Sequence, residues 1–353
     1  MVLLRVNREE FLHRLETVQP GMSKREILEQ SSCFCFKNGE VFTFNDETFC
    51  RTSSGLPKDF EGAVPGEKLT AILRKLVEDD IDLDQEEGTF LIKGKGTRRV
   101  RIRMANEIAL PIDKIESPTK WAKLPDEFCE AIGLVHLCAS HDDSLFNMTC
   151  VHISPKWIEA CDNVQLCRWR METGITQSTI VRKTAIKHIT TLGMTHFAET
   201  GNWLHFKNGA RLILSCRRYF EEYPKLSPFI KFEGDTLTLP KGLMDETDRA
   251  SIFSSEHTDN NLVVVHLEKG RTKIEGLGIS GEYDSGWRKV DYHGPNITFS
   301  IAPQLLMDLV KRHNDCIINQ ERLKVDGGNY VYVATLHPPS GGEEKKPEEK
   351  ENE

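Results

Sequence analysis

The sequence predicts an α+β protein of three similar domains, each built from two helix-plus-hairpin units. Three observations carry this reading. An apolar helix pattern is written three times, tight turns separate alternating strands after every helix, and two proline-containing joints cut the chain into pieces of similar length.

In chain order, the first piece opens with a helix at Val6-Asn7, where Asn suits an N-cap, and a hairpin follows around Lys37-Asn38-Gly39. Before that turn Cys33 and Cys35 face one way and Phe34 and Phe36 the other. A second helix follows Val64, with apolar Leu69 and Ile72 five and eight positions on. Glu78 to Asp84 alternates as a strand, Ile81 and Leu83 inward and carboxylates outward. Asp80, Asp82 and Asp84 resemble the start of a calcium loop, but Gln85 stands where that loop needs Gly and Leu91 where it needs the bidentate Glu, so no metal is expected. Gly94-Lys95-Gly96 then turns into a strand with Val100, Ile102 and Met104 on one face and Arg101 and Arg103 on the other.

The second piece repeats the plan with a helix start at Leu124-Pro125, a turn at Ser154-Pro155-Lys156, the pattern Val181, Ile186, Ile189, and a turn at Lys207-Asn208-Gly209. The third does so with Leu239-Pro240, Glu268-Lys269-Gly270, the pattern Ile301, Leu306, Leu309, and Asp326-Gly327-Gly328. The joints Pro111 to Lys123 and Tyr223 to Asp235 set expected domains at 1–118, 119–235 and 236–338. Residues 339–353 read as a solvated acidic tail, with nothing apolar to bury from Gly341 onward.

The chain has 353 residues, 39% apolar and 28% charged, an ordinary soluble composition. No apolar run approaches the roughly 20 residues that cross a bilayer, and the N-terminus turns charged before a signal-peptide core forms, so a cytoplasmic protein without membrane partners is expected. Ten cysteines without regular spacing are expected to be reduced and mostly buried, with no disulfides. A net charge of -8 argues against a nucleic-acid binder held by overall charge, yet the charges are segregated. The helix after Val181 carries Arg182, Lys183, Lys187 and His188 with no acid until Glu199. The helix after Val64 carries Lys68, Arg74 and Lys75, and the one after Ile301 ends in Lys311-Arg312-His313. Any one alone is an ordinary solvated face; recurrence at the same place in a repeat points to a cationic surface.

No phosphate loop, Gly-x-Ser-x-Gly elbow or His-Glu-x-x-His motif is present. His136, Cys138 and His141 suggest a metal site, but on a helix His136 and Cys138 point different ways, so core packing or a solvated end is the better reading. No catalytic residue, metal or cofactor is expected, and an enzyme has only scattered His and Cys behind it.

Six helix-hairpin units in three domains, basic helices and acidic strands together resemble the bacterial DNA polymerase III beta sliding clamp, as a divergent or phage-borne member. The resemblance covers residues 1 to 337 and is carried by Ala63-Val64-Pro65-Gly66-Glu67-Lys68-Leu69 ahead of Ile72-Leu73-Arg74-Lys75-Leu76, by Ile180-Val181-Arg182-Lys183, by Ala250 to Glu256, and by Tyr330-Val331-Tyr332-Val333. It implies a head-to-tail homodimeric ring that encircles duplex DNA without reading bases and tethers DNA polymerase, clamp loader and other peptide-motif clients near the nucleoid.

By resemblance Lys68, Arg74, Arg182 and Lys183 face DNA, with Lys24 or Arg25 in a further DNA-contacting loop; charge and helix phase add Lys75, Lys187, Lys311 and Arg312. Ile252 and Phe253 match the subunit interface, with the segment around Met104 as the facing surface. The client-peptide pocket maps onto Cys161, Asn163, Val164, Gln165, Leu166, Pro224, Pro228, Phe229, Thr258, Val331, Tyr332, Val333, Ala334 and Thr335. There the chain departs from the family: Cys161-Asp162-Asn163-Val164-Gln165-Leu166 replaces the usual Thr-Asp-Gly-His-Arg-Leu, and Val333-Ala334-Thr335 replaces Met-Pro-Met. The alternative is a paralogue with the same fold that recruits proteins without encircling DNA.

Overall fold

Asn38 and Gly39, at φ 53° and 76°, adopt the paired left-handed conformations of a type I′ turn and bring strands Cys33–Lys37 and Glu40–Phe44 together. Short turns of several kinds join antiparallel strands through the rest of a computed structural model that describes residues 4–336 apart from 87, 210, 241, 256–260 and 320, and apart from the side chains at 305, 308 and 312. Thr258, the Arg312 side chain and the expected tail lie outside the described residues. The chain forms two compact units, residues 1–160 with 171–224, and residues 161–170 with 225–353.

Unit 1 begins with α1 (Arg8–Val18), capped as expected by Asn7, whose side chain accepts from the Glu10 amide at 3.0 Å. Strands Leu4–Asn7, Asp80–Glu86, Thr89–Lys93 and Arg99–Arg103 form a four-stranded antiparallel sheet in that order. An eight-stranded sheet runs Gly62–Pro65, Cys33–Lys37, Glu40–Phe44, Thr48–Ser53, Ile213–Arg217, Trp203–Lys207, His196–Glu199, Ala122–Lys123. Its two halves meet where Thr48–Ser53 pairs with Ile213–Arg217. Strands Thr179–Arg182 and Trp157–Cys161 flank Cys150–Ile153. Between the first sheets Phe36, Phe60 and Phe90 pack with ring centroids 5.6 to 6.2 Å apart.

The helix expected after Val64 is α2 (Gly66–Lys75), but its buried large apolar side chains are Leu69 and Leu73, and Ile72 is half-exposed. The spacing of four keeps both leucines on one stripe, which an offset of three also satisfies in sequence. In α3 (Phe128–Val135) the helix begins three residues beyond Pro125, whose carbonyl accepts from the Phe128 amide in a preceding turn. After Val181 come α4 (Lys183–Ile186) and a 3-10 turn Lys187–Thr190, with Ile186 and Ile189 buried.

The joint Pro111 to Lys123 runs within unit 1, because Leu110, Ile112 and Ile115 pack onto the cluster of Phe42, Phe44, Phe49 and Trp203. The acidic strand Asp80–Glu86 buries Ile81 and Leu83 as expected, but Asp84 is also buried, paired with Lys93 at 3.2 Å, and Glu78 is held by Arg98 at 2.8 Å.

In unit 2, α5 (Ser227–Ile230) precedes a sheet ordered Gln165–Arg170, Tyr330–Thr335, Arg322–Asp326, Asp315–Ile318, Asp235–Thr238. A second sheet runs Glu282–Asp284, Arg271–Leu277, Val263–Glu268, Ile297–Ile301. α6 (Leu243–Ser254) packs on it so closely that a Cβ at Gly276 would lie 2.0 Å from the Ala250 carbonyl oxygen. α6 also starts three residues beyond its proline, Pro240, whose carbonyl accepts from the Leu243 amide. α7 (Pro303–Arg312) buries Leu306 and Leu309.

All ten cysteines are free thiols, and burial pushes Cys150 and Cys316 up to about 12. No cluster of potential metal ligands occurs among the described residues. No helix among them is long and apolar enough to cross a membrane.

His205, 1% exposed, is bonded between Thr200 Oγ1 at 2.9 Å and Ser215 Oγ at 2.7 Å. Burial, with Arg51 and Arg218 nearby, lowers its pKa from 6.5 to about 4. The unfolded chain binds this proton more readily, so stability is intact above the unfolded pKa and falls as pH drops toward the folded one. The contribution lost is about 3 kcal/mol. Melting temperature should decline from pH 6.5 to 4, and a thermal scan of His205→Gln should show a shallower decline across that window.

Candidate functional site

α2, α4 with its 3-10 extension, and α7 place the cations expected to face DNA, each opening directly after a buried strand end, Val64, Val181 or Ile301. Lys68, Lys75, Lys187 and Lys311 are exposed on them, and Lys24 and Arg25 are exposed on a loop of unit 1. Arg74 is exposed but pairs with Glu16 of α1 at 2.7 Å.

Arg182 departs from expectation. Its side chain is only 16% exposed, held by Glu47 at 3.2 Å and Asp143 at 2.7 Å, bonded to Thr149, and stacked 5.4 Å from the Phe146 ring centroid. The guanidinium sits at the start of α4, where it ties the helix to two other segments instead of projecting a free charge. Lys183 is half-buried and donates to the Ala139 carbonyl at 2.7 Å. Next to Lys187, His188 is pushed down to about 4 by burial and by Lys187 and His136, so it is neutral at pH 7 and adds no charge to this surface.

The pocket residues of unit 2 gather on two paired strands. Gln165 lies opposite Ala334, and Leu166 opposite Val333, while the Asp162 side chain closes the preceding loop by accepting from the Val164 and Gln165 amides at 2.8 Å. The Tyr332 hydroxyl donates to Gln165 Oε1 at 3.2 Å. Cys161, Leu166, Val331, Tyr332, Val333 and Ala334 are buried, so a peptide would meet Asn163, Val164, Thr335, Pro228 and Phe229, which are exposed. Pro224 is exposed and ends unit 1.

Cations missed in the sequence lie on Gln165–Arg170 and on Arg322–Asp326, the strand beside Tyr330–Thr335. Arg322 stacks 5.9 Å from Phe229, Lys324 lies 5.3 Å from Phe232, and Arg168 donates to Ser227 Oγ at 3.1 Å. Their alternation with buried Cys167, Leu323 and Val325 was a readable signal.

Two sheet edges and an apolar patch complete the picture. Edge strand Arg99–Arg103 of unit 1 exposes Arg99, Arg101 and Arg103. Met104, expected on an interface, is 6% exposed and packed near Gly62, because it continues the inward face of that strand. Edge strand Glu282–Asp284 of unit 2 exposes Glu282 and Asp284, with Tyr283 bonded to Glu246 of α6. On unit 2 Ile252 and Ile279 are 66% and 83% exposed, and Phe253 is half-buried.

No protein-family model and no curated protein matches the sequence. Solved structures do. A DNA polymerase III subunit beta sliding clamp from Bartonella birtlesii, bound to griselimycin, superposes with TM-score 0.77 at 15% identity, over 95% of this chain and 99% of that one. The corresponding clamp from Pseudomonas aeruginosa gives 0.74 at 15% identity, with 95% and 99% covered. A putative DNA polymerase III beta subunit from Eubacterium rectale gives 0.74 at 14%, again with 95% and 99% covered. Over nearly its whole length, the chain has the fold of the bacterial DNA polymerase III beta sliding clamps.

Proposed function

We propose that this protein is a DNA sliding clamp, a non-catalytic processivity factor that encircles duplex DNA as a head-to-tail homodimer and tethers a DNA polymerase. The observation that carries the reading is a clamp fold in which α2, α4 with its extension, and α7 each expose a lysine: Lys68 and Lys75, Lys187, and Lys311. Lys24 and Arg25, exposed on a loop of unit 1, are further cations of this reading. Contacts of this kind reach phosphates alone and leave the protein free to slide. The three domains 1–118, 119–235 and 236–338 belong to this reading, as do a clamp loader and peptide-motif clients as partners and a cytoplasmic, nucleoid-associated location.

Edge chemistry supports the homodimer. In a head-to-tail pair, arginine-bearing Arg99–Arg103 of one copy meets acidic Glu282–Asp284 of the next, with Ile252, Ile279 and Phe253 supplying apolar contact. Closing the ring this way leaves neither edge unpaired.

Clients would dock on the unit 2 groove through Val164, Asn163, Thr335, Pro228 and Phe229, over the buried Leu166 and Val333. Val164→Glu or Phe229→Ala should weaken binding of a polymerase C-terminal peptide by about tenfold or more, since each anchors exposed apolar area at the groove. Fluorescence anisotropy checks this; unchanged affinity with both would remove the groove from the account.

A scaffold that keeps the fold without encircling DNA is favoured by one observation: Arg74 and Arg182 are engaged in intramolecular ion pairs. Retention on DNA after charge reversal of the exposed lysines separates the two readings.

A further inference from the structure

The unit 2 groove has a counterpart in unit 1, built on the same hydrogen-bond skeleton. Asn45 Oδ1 accepts from the Glu47 amide at 3.2 Å and the Thr48 amide at 2.8 Å, as Asp162 Oδ1 does from Val164 and Gln165. The Glu47 carbonyl accepts from the Arg217 amide at 2.8 Å, as the Val164 carbonyl does from Thr335 at 2.6 Å. Strand register agrees, with Thr48 opposite Cys216 and Gln165 opposite Ala334. Glu47 therefore takes the place of Val164, and Arg217 that of Thr335.

Beside this loop lies a cavity of about 530 Å³ whose lining includes Phe44, Trp203, Pro111, Ile115, Lys114 and Arg217. Phe44 and Trp203 are buried, their rings 6.1 Å apart, and Pro111 and Ile115 come from the joint that crosses the groove. Arg217 stacks 5.3 Å from Trp203 and is ion-paired with Asp46, which also lines the cavity, while Lys114 is exposed and carries the cavity's available cation. Arg218 also lines the cavity, and its side chain is 4% exposed. Its terminal nitrogens reach the Thr200 carbonyl at 3.0 Å, the Gln177 carbonyl at 3.2 Å and Glu199 at 2.9 Å, but its buried Nε has no hydrogen-bond partner among the described residues. A buried donor without an acceptor is rare in folded proteins and marks a place where an acceptor fits.

We propose that this cavity is a second peptide-docking groove, specific for an acidic segment of a partner protein that carries one large apolar side chain. The proposal rests on the reading of the unit 2 groove as a client site, since it is the repeat that identifies the position. The aromatic floor and Ile115 accept the apolar side chain, Lys114 attracts a carboxylate, and the Arg218 Nε–H donates to a carbonyl or carboxylate oxygen. Where the unit 2 rim is Val164 and Thr335, this rim is charged, so the two grooves select different peptides. The chain's own acidic residues 343–353 include no large apolar side chain and do not meet this requirement.

The test uses the full chain and a fluorescein-labelled probe peptide, Asp-Glu-Leu-Phe-Asp, read by anisotropy and by methyl NMR of isoleucine-labelled protein. The expected result is binding that weakens at least tenfold in Lys114→Glu and is restored in Lys114→Arg. It should be unaffected by Val164→Glu or by removal of residues 341–353, and the Ile115 methyl should shift on titration. No binding at about 1 mM peptide, the weak limit of specific recognition, would overturn the proposal. So would binding sensitive to Val164→Glu but not to Lys114→Glu, which would place the probe in the unit 2 groove and leave that reading intact. Tighter binding after removal of 341–353 would give the groove to the chain's own tail and also overturn it. Lys114-dependent binding together with a unit 2 groove indifferent to client peptide would sink the first reading alone.

Discussion

Ile252→Arg should convert the dimer into monomers that melt at the parent temperature. Ile252 is 66% exposed on α6, so a charge there does not disturb unit 2 itself. In the proposed pair it is covered by the partner's edge strand. Replacing it removes about 2 kcal/mol of apolar burial and adds the cost of desolvating an unpaired charge, for a total of about 4 kcal/mol or more. The dissociation constant should therefore rise about a thousandfold. Sedimentation equilibrium reads this directly. Arg101→Glu should weaken the dimer by setting like charges against Glu282 and Asp284, and combining it with Glu282→Arg should recover part of the loss. A dimer untouched by Ile252→Arg would mean that this face is not the interface.

The second large effect is on DNA. Reversing Lys68, Lys75, Lys187 and Lys311 to Glu together should abolish retention on duplex DNA and the stimulation of processive synthesis. All four are exposed, so the melting temperature should hold. In the parent, each phosphate contact contributes about 0.9 to the slope of log affinity against log salt, so four contacts per chain, doubled in the homodimer, account for a slope of up to about 7, which the variant should lose. Arg182 offers the contrast. Arg182→Ala strips Glu47 and the Thr149 hydroxyl of their cation, and its effect should appear as about 2 to 4 kcal/mol of lost stability. Its effect on the salt slope should be small. Thermal melts alongside salt-dependent DNA binding separate a positioning arginine from a contacting lysine.

That contrast shows where sequence reasoning succeeds and stops. The repeat was legible because its marks are local: Asn38-Gly39 needs positive φ, Asn7 caps α1, and Leu306 and Leu309 fall on one stripe of α7. Whatever depends on partners distant in sequence was not legible. Arg182 reads as one more cation until Glu47, 135 residues away, is found beside it. Asp84 reads as an outward carboxylate until Lys93 is found to bury it. Helix starts at Pro125 and Pro240 slipped by a turn because proline is equally at home in a preceding turn and at a helix's first position. The pocket strands were located, but which of their side chains stay exposed depends on the strand pairing Gln165–Arg170 with Tyr330–Thr335 and on the placement of α5. The counterpart groove in unit 1 was invisible for the same reason, since Asn45 and Arg217 are joined only by the fold.

The central claim is topological, so the measurement that tests it most directly compares retention on two forms of one DNA. The protein is loaded onto a nicked circular plasmid, washed at about 1 M salt, where the Debye length is about 3 Å and phosphate contacts are screened, and followed before and after the plasmid is cut once. A clamp stays on the circle through the wash and slides off the ends within the time of cleavage. Equal retention on circular and linear DNA, or equal loss from both, would contradict encirclement.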